Sequence, residues 1–445
     1  MACSAASTSK RQKHSYPDMD RISNLPDSLL CHILSFLPTK KVVATSNLSS
    51  RWKTLWTLVP KLDFDSRELE TKSSDGEQSH NQYHFNFAHI VSRVWALRNA
   101  NPIQKFRLHW DDNFDHIHVD TWVRAAIARG VKELELEVII RFGSFPPLYF
   151  PCSVFNGNTL VILKLGSFIV LESSPGSSFV FPSLQILHLI ITNVDSDSHH
   201  DSLSRLHAFC PVLQELFVAI YECRFELDIN VPALEYLRFE GNLGDVSLEN
   251  LPNSVKPVLD LNSVGLDYVS EHGNSVWDLL GQLCNVESLH LYSETVGCLR
   301  SASEFDPPMF HKLSFLNFGV DDHLNYVLPL LLHRTPNLEV LVFDMERTNS
   351  FIDHGYRNFT LDRTFYKDPQ DDPKCLSSRL TTCHFKGFEG LKGEMELVRR
   401  ILKRARVLKT MKISSSGLNS EEKLCVLKEL LMFPRHSRTC QIAFS

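Results

Sequence analysis

The chain has 445 residues, and its 46 basic and 52 acidic side chains leave a net charge of −6. That balance carries no electrostatic footprint for nucleic acid, so none is expected as a partner. No apolar run approaches the roughly 18 residues that cross a bilayer, which removes a membrane partner as well. Residues 1–18 are polar and read as a disordered tail rather than a secretory leader, with the basic run Lys10-Arg11-Gln12-Lys13 as a solvated stretch. The eleven cysteines include no C-x-x-C pair. They predict reduced thiols in a cytoplasmic and/or nuclear protein.

Residues 19–62 read as a small helical segment. Leu29, Leu30, Ile33, Leu34 and Leu37 share one stripe of a helix that Pro38 ends. Thr39 is placed to cap a second helix carrying Val42 and Val43. A third helix is expected to carry Trp52, Leu55, Trp56 and Val59 at i, i+3, i+4 and i+7. About 40 residues rarely support a core alone, so this apolar load must pack on the rest of the chain or be covered by another protein. Residues 66–82 are polar and predict a linker.

Beyond the linker one pattern recurs: apolar, two variable, apolar, one variable, apolar. It starts at Leu160, Leu184, Leu213, Leu234, Val286, Leu313, Leu338 and Leu408, with looser copies at Ile103, Val131 and Leu380 and a worn one over Lys256–Leu261. Starts such as 160, 184, 213 and 234 lie 24, 29 and 21 residues apart. That is a leucine-rich-repeat period. Helical faces precede several copies, as in Phe87, Ile90, Val91 and Val94, in Leu203, Leu206 and Phe209, and in Val276, Leu279, Leu280 and Leu283. Each unit therefore predicts helix, turn and short strand, stacked into a curved α/β solenoid over residues 85–365. Asp344 to Lys374 reads as a surface loop.

Two segments resemble a known family. Asp20-Arg21-Ile22-Ser23-Asn24-Leu25-Pro26-Asp27, then Ile33-Leu34-Ser35-Phe36-Leu37-Pro38-Thr39-Lys40 and Arg51-Trp52-Lys53 with Leu55-Trp56, resemble the F-box in its plant form. Asn47 and Ser50 depart from the usual apolar and basic residues. Cys375-Leu376, Phe385-Lys386-Gly387-Phe388-Glu389-Gly390 and Glu394-Met395-Glu396-Leu397-Val398 are similar to the FBD region found behind F-box and leucine-rich repeats in plants, which places an FBD-like region at 366–445. The resemblance implies a three-helix F-box that docks on the adaptor of an SCF-type cullin-RING ubiquitin ligase, and through it on the cullin. It implies docking residues at Leu25, Pro26, Leu30, Ile33, Leu34, Leu37, Pro38, Val43, Trp52, Leu55 and Trp56.

Strand positions between buried residues should face the concave side of the solenoid. The middle ones are Arg107, Glu135, Lys164, His188, Phe217, Arg238, His290, Asn317, Val342, His384 and Lys412, with Ile162, Ile186, Ile190, Tyr236, Tyr292, Phe315 and Val340 beside them. Apolar groups on an open sheet face suggest a protein ligand, with Phe217, Tyr236, Tyr292, Phe315 and Val342 as the candidate target-binding residues. The competing expectation is that loops of the same chain cover them. His199-His200, among Asp195, Asp197 and Asp201, reads as a solvated loop, and Cys375 and Cys383 as core or turn thiols. No nucleophile elbow, phosphate loop or H-E-x-x-H occurs, so no catalytic residue, metal or cofactor is expected. The expected role is a non-catalytic substrate-recognition subunit of the ligase. A small-molecule co-receptor and a non-degradative scaffold are the alternatives.

Overall fold

Every copy of the apolar pattern forms a β-strand. The computed structural model describes residues 22, 24–69, 78–98, 102–111, 116–139, 148–150, 159–166, 169–171, 181–192, 210–221, 226–242, 245–262, 269–300, 306–320, 324–345, 372–415 and 417–445. The expected tail at 1–18, the His199-His200 loop and most of the loop at 344–374 lie outside the described residues. Fourteen strands make one open, all-parallel sheet in chain order. They are β1 (Lys61–Asp65), β2 (Lys105–Asp111), β3 (Glu133–Ile139), β5 (Ile162–Gly166), β7 (Ile186–Thr192), β8 (Glu215–Tyr221), β10 (Tyr236–Asn242), β12 (Lys256–Asn262), β13 (Ser288–Leu291), β14 (Phe315–Gly319), β15 (Val340–Asp344), β16 (Thr382–Lys386), β17 (Thr410–Ser414) and β18 (Gln441–Phe444). Two short parallel pairs stand apart: β4 (Leu148–Phe150) with β6 (Ile169–Leu171), and β9 (Glu226–Asn230) with β11 (Asp245–Glu249).

The period-2 geometry of a strand explains the pattern. The second apolar position forms a ladder through Leu134, Leu163, Leu187, Leu216 and Leu237, and the third through Leu136, Leu165, Leu189, Val218 and Phe239, all buried. Further along, Phe318, Phe343 and Phe385 occupy the third position, with Phe343 and Phe385 stacked at 4.8 Å. Helices close the buried side. In α7 (Ser293–Arg300), preceded by α6 (Val269–Gln282), Thr295 accepts from the Leu261 N–H and donates to the Leu259 carbonyl, both at 2.8 Å, tying helix to β12. Among the described residues the remaining helices are α1 (Asp27–Leu34), α2 (Thr39–Ala44), α3 (Trp52–Leu55), α4 (Gln78–Leu97), α5 (His116–Ala128), α8 (Leu324–Arg334), α9 (Lys374–Ser378), α10 (Lys392–Arg404) and α11 (Ser420–Met432). In the FBD-like stretch the left-handed backbone at Gly387 and Gly390 (φ +67° and +75°) turns the chain from β16 to α10. The buried Glu394 carboxylate accepts from the Glu389 and Leu391 N–H groups at 3.0 Å and caps that helix.

Several expectations are corrected. Val59 is not on the third helix: Pro60 forces it into extended backbone (ψ 124°), and Val59-Pro60-Lys61-Leu62-Asp63-Phe64 is a further repeat forming β1. The sheet thus begins inside the segment expected to be helical. Of the expected linker at 66–82, Ser66–Leu69 is a short 3-10 turn and 78–82 already belong to α4; residues 70–77 lie outside the described residues. Thr39 does not cap α2. Pro38 holds that position, and the buried Thr39 hydroxyl instead accepts from the Asp63 N–H at 2.7 Å, joining α2 to β1. The first helix ends at Leu34, before Pro38. The worn repeat is framed two residues earlier than expected: Pro257 and Leu259, not Leu259 and Leu261, align with Leu237 and Phe239.

Candidate functional site

Two surfaces stand out. The first lies on α1 and the turn that follows it. A helix of eight residues buries one stripe and exposes the other. Here Leu30, Leu34, Trp52, Leu55 and Trp56 are buried in the chain's own core, with Leu25, Leu37 and Val43 packed half-buried against it and Pro38 half-buried. Only Pro26 and Ile33 of the expected docking residues are exposed. The exposed stripe is Leu29, Ile33 and Phe36, with Ile22 and Leu48 also exposed. Sequence reasoning placed Leu29 and Ile33 on one stripe with Leu30 and Leu34, because a broad apolar stripe hides the boundary between core and open face. Arg51 fixes the start of α1: its Nη2 donates to the Leu25 carbonyl at 2.6 Å and its Nε to Asp27 Oδ1 at 2.9 Å. Asn47, the departure from the F-box pattern, is exposed, so it carries no burial penalty.

The second surface is the outward face of the large sheet. One row of paired residues runs through Asp63, Arg107, Glu135, Lys164, His188 and Phe217, then Arg238, Val258, His290, Asn317, Val342, His384, Lys412 and Ala443. Its first third is charged and internally paired. Arg107 reaches Asp63 at 3.1 Å and Glu135 at 3.2 Å, and Lys105 reaches Glu133 at 3.2 Å. His109 is buried between Glu137 and Asp111, each at 2.7 Å. Burial works against its charge, but the bond to Glu137 and the charges of Glu137, Asp111 and Asp65 outweigh it, and its pKa is raised.

The middle of the face is aromatic. The Arg238 guanidinium sits 5.6 Å from the Phe217 ring and 5.8 Å from the Tyr292 ring, with Nε donating to Glu240 at 2.6 Å. Tyr221 donates to the same carboxylate at 3.3 Å. Burial, then the charges of Glu240 and Glu294, push Asp260 up to about 6 against the pull of Arg238. His188 meets Glu215 at 2.7 Å and Phe217 edge-on at 5.4 Å, and His290 lies 5.2 Å from Phe315. Phe217, Tyr236, Tyr292 and Phe315 are half-buried, as are Ile162, Ile186, Ile190 and Val340, so the chain leaves part of each open. Val342 differs: it is buried beside Asn317 and His384 and offers little surface to a ligand. Cys375 and Cys383 are buried, and burial pushes the Cys375 thiol up to about 11. Among the described residues no three potential metal ligands cluster, and no helix is long and apolar enough to cross a membrane.

Comparison with known proteins gives matches along most of the chain. The F-box domain profile matches residues 22–64, the profile described as "FBD-associated F-box protein At5g56370, LRR repeats" matches 119–260, and the FBD profile matches 368–413. The "Putative FBD-associated F-box protein At3g50710" of Arabidopsis thaliana is 30% identical over 95% of this chain and 99% of its own length. The "F-box/FBD/LRR-repeat protein At4g26340" of the same plant is 30% identical over 96% and 100%. A third Arabidopsis protein, "F-box/LRR-repeat protein At3g59190", is 29% identical over 73% and 93%.

Proposed function

We propose a function from one premise: the chain belongs to the plant F-box/FBD/LRR-repeat family. Its F-box and leucine-rich repeats make it a protein-interaction adaptor. We infer that it is the substrate-recognition subunit of an SCF-type ubiquitin ligase. The F-box would dock on the cullin adaptor, and the outward sheet face would hold a protein target. The chain would do no chemistry; it would raise the local concentration of target near a RING-bound E2.

The observation that carries this reading is the exposed apolar stripe Leu29, Ile33 and Phe36 on a segment whose other apolar face is already satisfied by the core. A contiguous open apolar patch signals a partner. Titration of the purified full chain with purified adaptor tests it. Saturable binding at micromolar concentration or tighter is expected, and absence of binding by a folded chain contradicts it. The half-open aromatic groups around Arg238 supply the second surface, since aromatic and arginine side chains dominate binding at protein interfaces.

A further inference from the structure

At the junction of the F-box segment and the sheet, three side chains carry buried donors with no acceptor among the described residues. Arg98 directly follows α4 and is only 3% exposed, yet its Nε, Nη1 and Nη2 are all buried without an acceptor. Arg129, just after α5, has a buried Nη1 in the same condition, and so does the indole Nε1 of Trp95. These groups are neighbours. Trp95 and Arg98 are three apart at the end of α4, and the Arg129 guanidinium lies 4.9 Å over the Trp95 ring.

The charge balance there is one-sided. Burial and then the nearby Arg129 charge push the Arg98 pKa down to about 10; only the Cys31 thiol of α1 acts the other way. Among the described residues no carboxylate contributes, and Arg98 remains charged at neutral pH. A buried charge without a partner is among the most costly features a fold can carry. Natural interiors place counter-charges on such groups.

We propose that Arg98, Arg129 and Trp95 form a binding site for a phosphate-class oxyanion. All the unmatched groups are donors, so the ligand must be an acceptor. Two adjacent guanidinium groups call for a multiply charged anion, and their planar forks match tetrahedral oxyanion geometry. The indole N–H supplies a further donor that a halide would use poorly. Because Cys31 brings α1 into the same neighbourhood, a bound anion fixes the F-box segment against α4 and the sheet. The site is independent of the target-binding reading, since Trp95 packs 5.4 Å from Phe106, which belongs to the buried side of the sheet.

Thermal unfolding of the full chain tests this in inorganic phosphate, in glycerol 2-phosphate, and in chloride at matched ionic strength. Wild type should gain about 1.5 °C at tenfold excess of phosphate over its dissociation constant, and nothing in chloride. A response to glycerol 2-phosphate as well assigns the site to phosphate esters; a response to inorganic phosphate alone assigns it to the free ion. Arg98→Leu should abolish the response while unfolding no earlier than wild type in phosphate-free buffer, because an apolar chain replaces a buried charge. Arg129→Gln, at a half-buried position, should weaken apparent phosphate affinity about tenfold and guards against misfolding of the Leu variant. Equal responses to phosphate and chloride, or variants that respond as wild type does, overturn the site. So does a folded wild type whose melting curve is the same in phosphate and in phosphate-free buffer.

Discussion

The double variant Ile33→Ala, Phe36→Ala separates docking from folding. Ile33 is 49% exposed and Phe36 is 73% exposed, whereas Leu34 between them is 3% exposed. Full burial of such a side chain contributes about 1.5–3 kcal/mol. Covering the open half of Ile33 is then worth about 1 kcal/mol, and the open three-quarters of Phe36 about 1.5–2 kcal/mol. Their joint removal should weaken adaptor binding about 100-fold, since 1.4 kcal/mol is tenfold. Thermal unfolding should hardly change, because neither side chain is core. Leu34→Ala should do the reverse to stability and cost about 2–5 kcal/mol of it. Calorimetric titration with purified adaptor, paired with a melting curve, reads both quantities. If the folded double variant binds within threefold of wild type, the open stripe is not the docking face.

Leu189→Asp would bury a carboxylate at a position 3% exposed and should unfold part of the sheet, while His188→Asp, on the outward face, loses the bond to Glu215 and the edge contact with Phe217 and should cost much less; equal losses of melting temperature would show the register to be wrong. Gly319→Ala would set a Cβ 2.2 Å from the Ser293 nitrogen and 2.5 Å from the Tyr292 carbonyl carbon, both backbone, so about 1–3 kcal/mol of stability should be lost, and an unchanged melting curve would contradict the packing of α7 on β14. Asp260 titrates near 6 in the fold against 3.8 as its ordinary value, so its stabilising contribution is full below 3.8 and lost as pH rises through 6. Asp260→Asn should therefore gain melting temperature over wild type between pH ~4 and ~7.5, and a flat or reversed difference would refute the burial assigned to it.

The strands were legible because their pattern is local: buried residues at alternate positions reproduce the apolar spacing from Ile103 to Ile413. Val59 to Phe64 escaped because Val59 also fits a helical i+7 position after Trp52, and only Pro60 decides between the readings. The β12 frame slipped because Pro257 stands where the pattern wants leucine, while Leu261 supplies a tempting substitute. The candidate surfaces were half legible. The sequence places Phe217, Tyr236, Tyr292 and Phe315 on one face, but Val342 is flanked by Asn317 and His384 on the two adjacent strands, residues far from it in sequence. Leu30 and Leu34 cannot be told from Leu29 and Ile33 by hydropathy, since only tertiary packing decides which side of the stripe meets the core. The Arg98 cluster has no sequence signature at all, because it is defined by the acceptors it lacks.

The account turns on one claim, that a single chain joins adaptor and target through separate faces. Affinity capture from plant extract with the proteasome blocked tests it most directly, using wild type, the Ile33→Ala, Phe36→Ala variant and a Phe217→Ala, Tyr236→Ala, Tyr292→Ala variant, all shown to be folded. The account predicts adaptor with wild type and the sheet-face variant, and at least one further protein with wild type and the F-box variant but not with the sheet-face variant. That protein should live longer in cells carrying either variant than in cells carrying wild type. Identical captured proteins from wild type and the sheet-face variant would contradict it and move target recognition away from the outward face.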